Sequence, residues 1–160
     1  MKGKLIWSVF WALVGVFVII VVSVIFILPA VRLWMPLGFL PAIFFSAIAV
    51  FVLLGVALLF LTVKTKVGGI LKKFLLLTGA SAVGIPVSIF LHNAIYGLFI
   101  HFFGADFWDR IGLGDEPFFF IIATVVCPIG FLVGAVGTIV LAIKSKKSNR
   151  PPRTVEGGEL

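Results

Sequence analysis

The chain has 160 residues, of which 62% are hydrophobic and 12% are charged, with a mean hydropathy of +1.30. A soluble domain is roughly 45–50% apolar and about 25% charged, so this chain lacks the polar surface that water requires. Composition therefore predicts a single-domain integral membrane protein. It excludes a nucleic-acid-binding domain despite the net charge of +7, and the single cysteine excludes a Cys-x-x-Cys oxidoreductase.

Four uncharged apolar segments predict an all-α fold of four antiparallel transmembrane helices, over residues 5–28, 37–63, 74–99 and 117–143. The first segment is too long for the apolar region of a signal peptide, and no small-x-small cleavage site follows it. We therefore expect it to be retained as a span. Ala42, Ser46 and Ala49 in the second segment lie at helical spacing and would let another helix approach closely.

The third segment carries a polar stripe, which is the one plausible place for specific chemistry. At 100° per residue an arc of about 80° contains Thr78, Ser81, Ser88, His92 and Tyr96. Lipid cannot satisfy such side chains. Pro86, about a dozen residues inside the segment, predicts a kink in this helix. The candidate binding residues of the stripe are Ser81, Ser88, His92, Asn93 and Tyr96.

Two interpretations of this stripe remain open. The residues can hydrogen-bond to neighbouring helices and hold the bundle in register. Alternatively they can line a small outward-opening pocket, in which His92 exchanges a proton while Asn93 and Tyr96 orient a ligand. His92 and His101 lie on opposite faces of the helix, which excludes a haem held by both, and no cofactor is predicted.

The connection over residues 104–116 is acidic, with Asp106, Asp109, Asp115 and Glu116 against one arginine. Interleaved aromatic and aliphatic residues predict a short element at the membrane surface. The sequence Asp115-Glu116-Pro117 predicts a helix start, because a carboxylate can accept from free amides and proline is tolerated at the first position. A solvated loop is the leading interpretation, a divalent-cation contact is the alternative, and no metal site is predicted.

The fourth segment carries small residues on one helical face, which permits close helix packing. Packing within the chain is the leading interpretation of this stripe, and homodimerisation through the same residues is the alternative. Cys127 is predicted to be a packing residue rather than a reactive thiol. The stripe comprises Ala123, Cys127, Gly130, Gly134 and Thr138.

Basic residues predict the orientation of the chain. Eleven of the 13 lie at the N-terminus, in the second connection and in the tail, which four spans place on one side. By the positive-inside rule both termini are cytoplasmic, with the spans in the cell membrane. We expect residues 144–160 to be a disordered basic tail that binds anionic lipid head groups. Its lipid-surface residues are Lys144, Lys146, Lys147 and Arg150.

Three classes of function remain. The first is a structural or accessory subunit that packs against a partner membrane protein or a second copy of itself, since the recognisable devices are packing devices. The second is a small transporter or channel component that uses the third-segment stripe. The third is a membrane enzyme or quinone-type binder that uses His92, Asn93 and Tyr96. No span contains Asp, Glu, Lys or Arg, which argues against an ion-coupled antiporter.

Overall fold

The computed structural model describes residues 2–27, 39–65 and 67–148. This part of the chain is helical and contains no strand. Four of its helical stretches are long and apolar enough to cross a membrane: Lys4–Ile25, Ile43–Lys64, Gly69–Phe103 and Pro117–Ser145. The all-α, membrane-type fold predicted from the sequence is thereby confirmed, while the antiparallel arrangement and the kink at Pro86 stay predictions.

The elements follow the four predicted segments with shifted ends. In chain order they are α1 (Lys2–Val22) with a π-helical end (Ser23–Ile27), α2 (Phe39–Lys64), α3 (Gly69–Phe103), α4 (Phe107–Arg110), α5 (Pro117–Ile121), a π-helical turn (Ile122–Val126) and α6 (Cys127–Ser148).

Helix α6 continues past the predicted boundary at residue 143, so residues 144–148 are helical rather than part of a disordered tail. Lysine is a good helix former, and a long side chain can carry its charge to the surface from a helix end. Lys144, Lys146 and Lys147 belong to this extension. Arg150 and the rest of the predicted tail lie outside the described residues, and so does Arg32.

Successive helices pack on one another, and an aromatic cluster closes the core. Leu13 of α1 and Leu58 of α2 are fully buried. The ring of Phe17 stacks on that of Phe131 with centroids 4.2 Å apart, and lies 6.0 Å from that of Phe51. Aromatic pairs of this kind contribute about 0.5–1.5 kcal/mol beyond the area they bury. These contacts bring α1, α2 and α6 together around one core.

The π-helical turn Ile122–Val126 has a cause in the sequence. Pro128 has no amide hydrogen, so it cannot donate to the carbonyl four residues earlier. The amide of Cys127 instead donates to the carbonyl of Ile122, one residue further back than in an α-helix. Insertions of this kind widen a helix locally and often occur at functional sites. The turn brings Ala123 and Thr124 to the face of α3 near His92.

Candidate functional site

His92 connects α3 to the start of the fourth apolar segment. Its Nδ1 lies 3.0 Å from the backbone carbonyl oxygen of Glu116 and 3.2 Å from the carboxylate Oε2 of the same residue. Because a carbonyl oxygen only accepts, Nδ1 carries the hydrogen and donates it. The other ring nitrogen, Nε2, lies 3.6 Å from Oδ2 of Asp115. One imidazole therefore contacts both acids of the predicted helix start.

Glu116 is a buried carboxylate, 5% exposed, and its position is explained by the helix that it caps. It is the N-cap of α5, with Pro117 at the first helical position, as the sequence predicts. Its oxygens accept from the amides of Phe118 at 2.8 Å and Phe119 at 3.0 Å. These donors, the positive end of the helix dipole and His92 together offset the cost of burying the charge.

The end of α3 is covered by the acidic connection. Trp108 is buried, its indole stacks on the ring of Tyr96, and its Nε1 donates to the Tyr96 carbonyl at 3.3 Å. Gly104 has a φ of 97° and ends α3, which lets the chain turn back along the helix. The short element predicted in this connection is α4, and it fixes Tyr96 by aromatic packing.

The deeper part of the polar stripe faces the small residues of α6. A Cβ added to Gly130 would lie 2.6 Å from Oγ of Ser81, and one added to Gly134 would lie 2.5 Å from Oγ1 of Thr78. Helices α3 and α6 can approach this closely only because both positions are glycine and have no Cβ. The GxxxG pair is therefore used within the chain, and homodimerisation through it would require α3 to be displaced.

The remaining stripe residues are placed consistently with packing. Ser88, Ala123 and Thr138 are buried, and Sγ of Cys127 lies against Gly84, 2.8 Å from the position of an added Cβ. Within the described residues Oγ1 of Thr138 has no hydrogen-bond partner. In the part of the chain that the structure describes, no side-chain hydrogen bond joins Ser81 or Ser88 to His92. The stripe thus divides into a deep packing half and an outer half that includes His92, Asn93 and Tyr96.

A cavity of about 240 Å³ lies beside His92. It is bordered by α3 and by the α5 end and π-helical turn of the fourth segment. Asn93 also borders it, and the Asn93 side chain is exposed, with its Nδ2 donating to the Ile89 carbonyl at 2.8 Å. The lining residues are Ile89, His92, Asn93, Phe120, Ala123 and Thr124.

Two features of this site were not predicted from the sequence. Glu116 and Asp115 were predicted to start a helix, but not to bind His92. Thr124 was not predicted to belong to a site, although Pro128, four residues later, indicates an altered helical turn. Among the described residues no three His, Cys, Asp or Glu side chains are placed to hold a metal ion.

The chain matches no protein-family model, no curated protein and no solved structure. The protein is therefore classified by its structure alone: the described residues are helical and include four helices of membrane-spanning length and composition. Its distinguishing feature is a histidine–carboxylate contact that joins the third and fourth of these helices.

Proposed function

We propose that this protein is an accessory subunit of a membrane assembly, and that it binds a helix of a partner subunit through α1. One observation carries the proposal. Ser8, Ala12 and Gly15 of α1 form an exposed stripe of small residues, and a Cβ added to Gly15 meets no atom within 4 Å. Small residues on an apolar face let another helix approach closely, as Gly134 does for α3.

A proposed topology accompanies this function. The four apolar helices form an antiparallel bundle in the cell membrane, with α3 kinked at Pro86 and both termini in the cytoplasm. The lysines after residue 143 then lie at the anionic inner surface of the bilayer, each worth about 1 kcal/mol of attraction. The transporter alternative has less support, because Ser81 and Ser88 are buried and neither lines the cavity beside His92.

Substitution of two matched glycines tests the partner proposal. Gly15→Leu places a bulky side chain on the α1 stripe, whereas Gly97→Leu places it on α3 at an equally open position. Both substitutions leave the internal packing of the chain intact. Membranes are crosslinked before solubilisation, and the stoichiometric partner is quantified per mole of the purified protein.

We expect Gly15→Leu to reduce the recovered partner by about tenfold, the equivalent of 1.4 kcal/mol of association free energy. Gly97→Leu should leave recovery unchanged. Equal recovery with both variants would contradict docking through α1. A wild-type protein that crosslinks to nothing in its native membrane would contradict the accessory role.

A further inference from the structure

Two neighbouring cavities share Asn93 as a lining residue. The cavity beside His92 has a volume of about 240 Å³, and a groove between α1, α2 and α3 has a volume of about 470 Å³. Ile89 and Asn93 line both. Small-molecule sites occupy roughly 300–1,000 Å³. The volume of the groove lies within this range, and so does the combined volume of the two spaces. A molecule that filled both would pass directly over the Asn93 side chain.

The two spaces differ in chemistry. Asn93 is the one polar residue among those lining the groove in the described part of the chain, and its apolar lining includes Phe17, Phe51, Ile85 and Pro86. The smaller cavity, which forms a chamber beside the groove, is also lined mainly by apolar surface but adds the polar groups of His92, Asn93 and Thr124. An apolar groove beside a chamber with a few polar groups matches a molecule with a long apolar chain and a compact polar head.

Asn93 has unused hydrogen-bonding capacity at the junction. A side-chain amide has two donor hydrogens and an acceptor oxygen. Within the described residues its single hydrogen bond is the one from Nδ2 to the Ile89 carbonyl, in its own helix. The acceptor oxygen and the second donor hydrogen remain available to a ligand. In an apolar setting such groups gain more from a partner than they would in water.

The depth of each space agrees with the orientation of an amphiphile in a bilayer. Asn93 follows His92, which contacts Glu116 at the start of α5, so the chamber lies level with the beginning of the fourth segment. Ile85 lies eight residues deeper along α3, about 12 Å. A ligand would therefore place its head near the head-group region and its chain toward the bilayer centre.

Charge restricts the head group. Glu116 and Asp115 both contact His92 at the edge of the chamber. The connection over residues 104–116 carries two further carboxylates and one arginine, and that arginine is paired with Asp106 at 3.3 Å. A phosphate head would meet the net negative charge of this connection, which opposes anionic lipids. An uncharged head meets no such penalty.

We propose that this two-part space binds an isoprenoid quinone or its quinol. The ring fits the chamber against the Phe120 side chain, whose centroid lies 5.6 Å from that of the His92 ring. The ring oxygens match the free donor and acceptor of Asn93, and the branched apolar chain fills the groove. The π-helical turn that supplies Ala123 and Thr124 shapes the chamber. This site is separate from the partner-binding stripe on α1 and does not depend on it.

The test uses the full-length protein in nanodiscs of phosphatidylcholine, with a decyl-substituted benzoquinone as the probe. The melting temperature is followed as the mole fraction of quinone increases. We expect a saturable rise for the wild type. Asn93→Leu should raise the half-saturating mole fraction about tenfold, the loss expected for a direct hydrogen bond in an apolar site. Thr124→Leu, which fills the chamber, should weaken binding similarly.

Thr65→Val is the matched control. Like Asn93, Thr65 donates from its side chain to a carbonyl four residues earlier, but it lies one residue beyond the end of α2. Its half-saturation should equal that of the wild type. Equal stabilisation of wild type and Asn93→Leu would overturn the site, since the quinone would then act through the bilayer. Absence of any saturable rise would overturn it as well.

Two further arms identify the head group. Phosphatidylglycerol replaces part of the phosphatidylcholine in the first, and dioleoylglycerol replaces the quinone in the second. We expect neither to give stabilisation that Asn93→Leu removes. An Asn93-dependent effect of phosphatidylglycerol would overturn the uncharged head, and one of dioleoylglycerol equal to that of the quinone would overturn ring recognition.

Discussion

His92 of α3 contacts two consecutive residues, Asp115 and Glu116, at the start of α5. Its Nδ1–H is shared between the carbonyl and carboxylate oxygens of Glu116, and its Nε2 faces Asp115. Each backbone amide that also binds Glu116 belongs to the same helix start. The His92 imidazole therefore connects the N-cap of α5 to α3.

Removal of this imidazole should destabilise the protein. In His92→Ala the buried Glu116 keeps its amide donors but loses its tertiary donor, which costs about 1–3 kcal/mol. Unfolding in detergent micelles with increasing denaturant measures the change. His101→Ala is the matched control, because His101 is an exposed histidine on the same helix whose ring contacts that of Phe102. Equal stability of the two variants would contradict a structural role for His92.

Sequence reasoning could identify this cap but not its partner. The order Asp115, Glu116, Pro117 is a local signal, and the structure has Glu116 at the predicted position. The contact with His92 depends on how far α3 extends relative to the start of α5. That offset is set by packing along the whole length of two helices, and no short stretch of sequence carries it.

Among the helices, α3 is the one that contacts most of the others. On one side Gly79 lies against α2, where an added Cβ would be 2.9 Å from Cγ of Leu59. On the other side Thr78 lies against Gly134 of α6. Two consecutive residues thus serve two interfaces, and the backbones on both sides come close because glycine has no side chain. Close packing of this kind is the main source of helix association in lipid.

A single methyl group at the α3–α6 interface should be felt. In Gly134→Ala the new Cβ would lie 2.5 Å from Oγ1 and 2.7 Å from the backbone nitrogen of Thr78. Relief requires the two helices to separate, at a cost of about 1–3 kcal/mol. The free energy of unfolding in micelles is the measurement. Gly97→Ala, with open space around the added atom, should leave stability unchanged or slightly higher.

The small-residue stripe of the fourth segment was readable in the sequence, whereas its partner was not. Spacing indicates that Gly130 and Gly134 share a face with Cys127, but a face can pack within the chain or between chains. The structure places α3 there. The π-helical turn could also have been predicted, because Pro128 removes a hydrogen-bond donor. The position of Thr124 beside His92 could not, because it depends on how α3 packs against this turn.

At the level of the whole molecule, charge and apolar length act together. The four apolar helices are joined by connections that alternate between sparsely charged or acidic and strongly basic. With short connections, lysine and arginine determine which side stays in the cytoplasm. In the proposed orientation, the connection between α2 and α3 and the end of α6 would lie inside, and α4 would lie outside.

Thiol labelling of intact cells tests this orientation. The native cysteine is first removed by Cys127→Ser, and single cysteines are introduced by Asp109→Cys or Ser145→Cys. A membrane-impermeant maleimide should label the Asp109→Cys protein in intact cells, because α4 is expected outside. It should label the Ser145→Cys protein only after permeabilisation. The reverse pattern would contradict the proposed orientation.

Hydropathy was sufficient for the number and type of the helices, since runs without charge are the direct signature of a lipid solvent. It was less informative about their ends. Helix α3 begins at Gly69 and includes Lys72 and Lys73, while the apolar pattern begins at Phe74. A long side chain can place its charge in water while its backbone is already helical, so charge boundaries and helix boundaries differ.

The length of α3 has a consequence for the shape of the outer rim. Its 35 residues measure about 52 Å, against a hydrocarbon thickness of about 30 Å. The eleven residues that follow His92, up to Phe103, rise about 16 Å past the point where α5 begins. In the proposed orientation, this end of α3 and helix α4 project from the cell surface. In this orientation, a protease or antibody added to living cells would encounter Phe103 and the acidic connection before the other described residues.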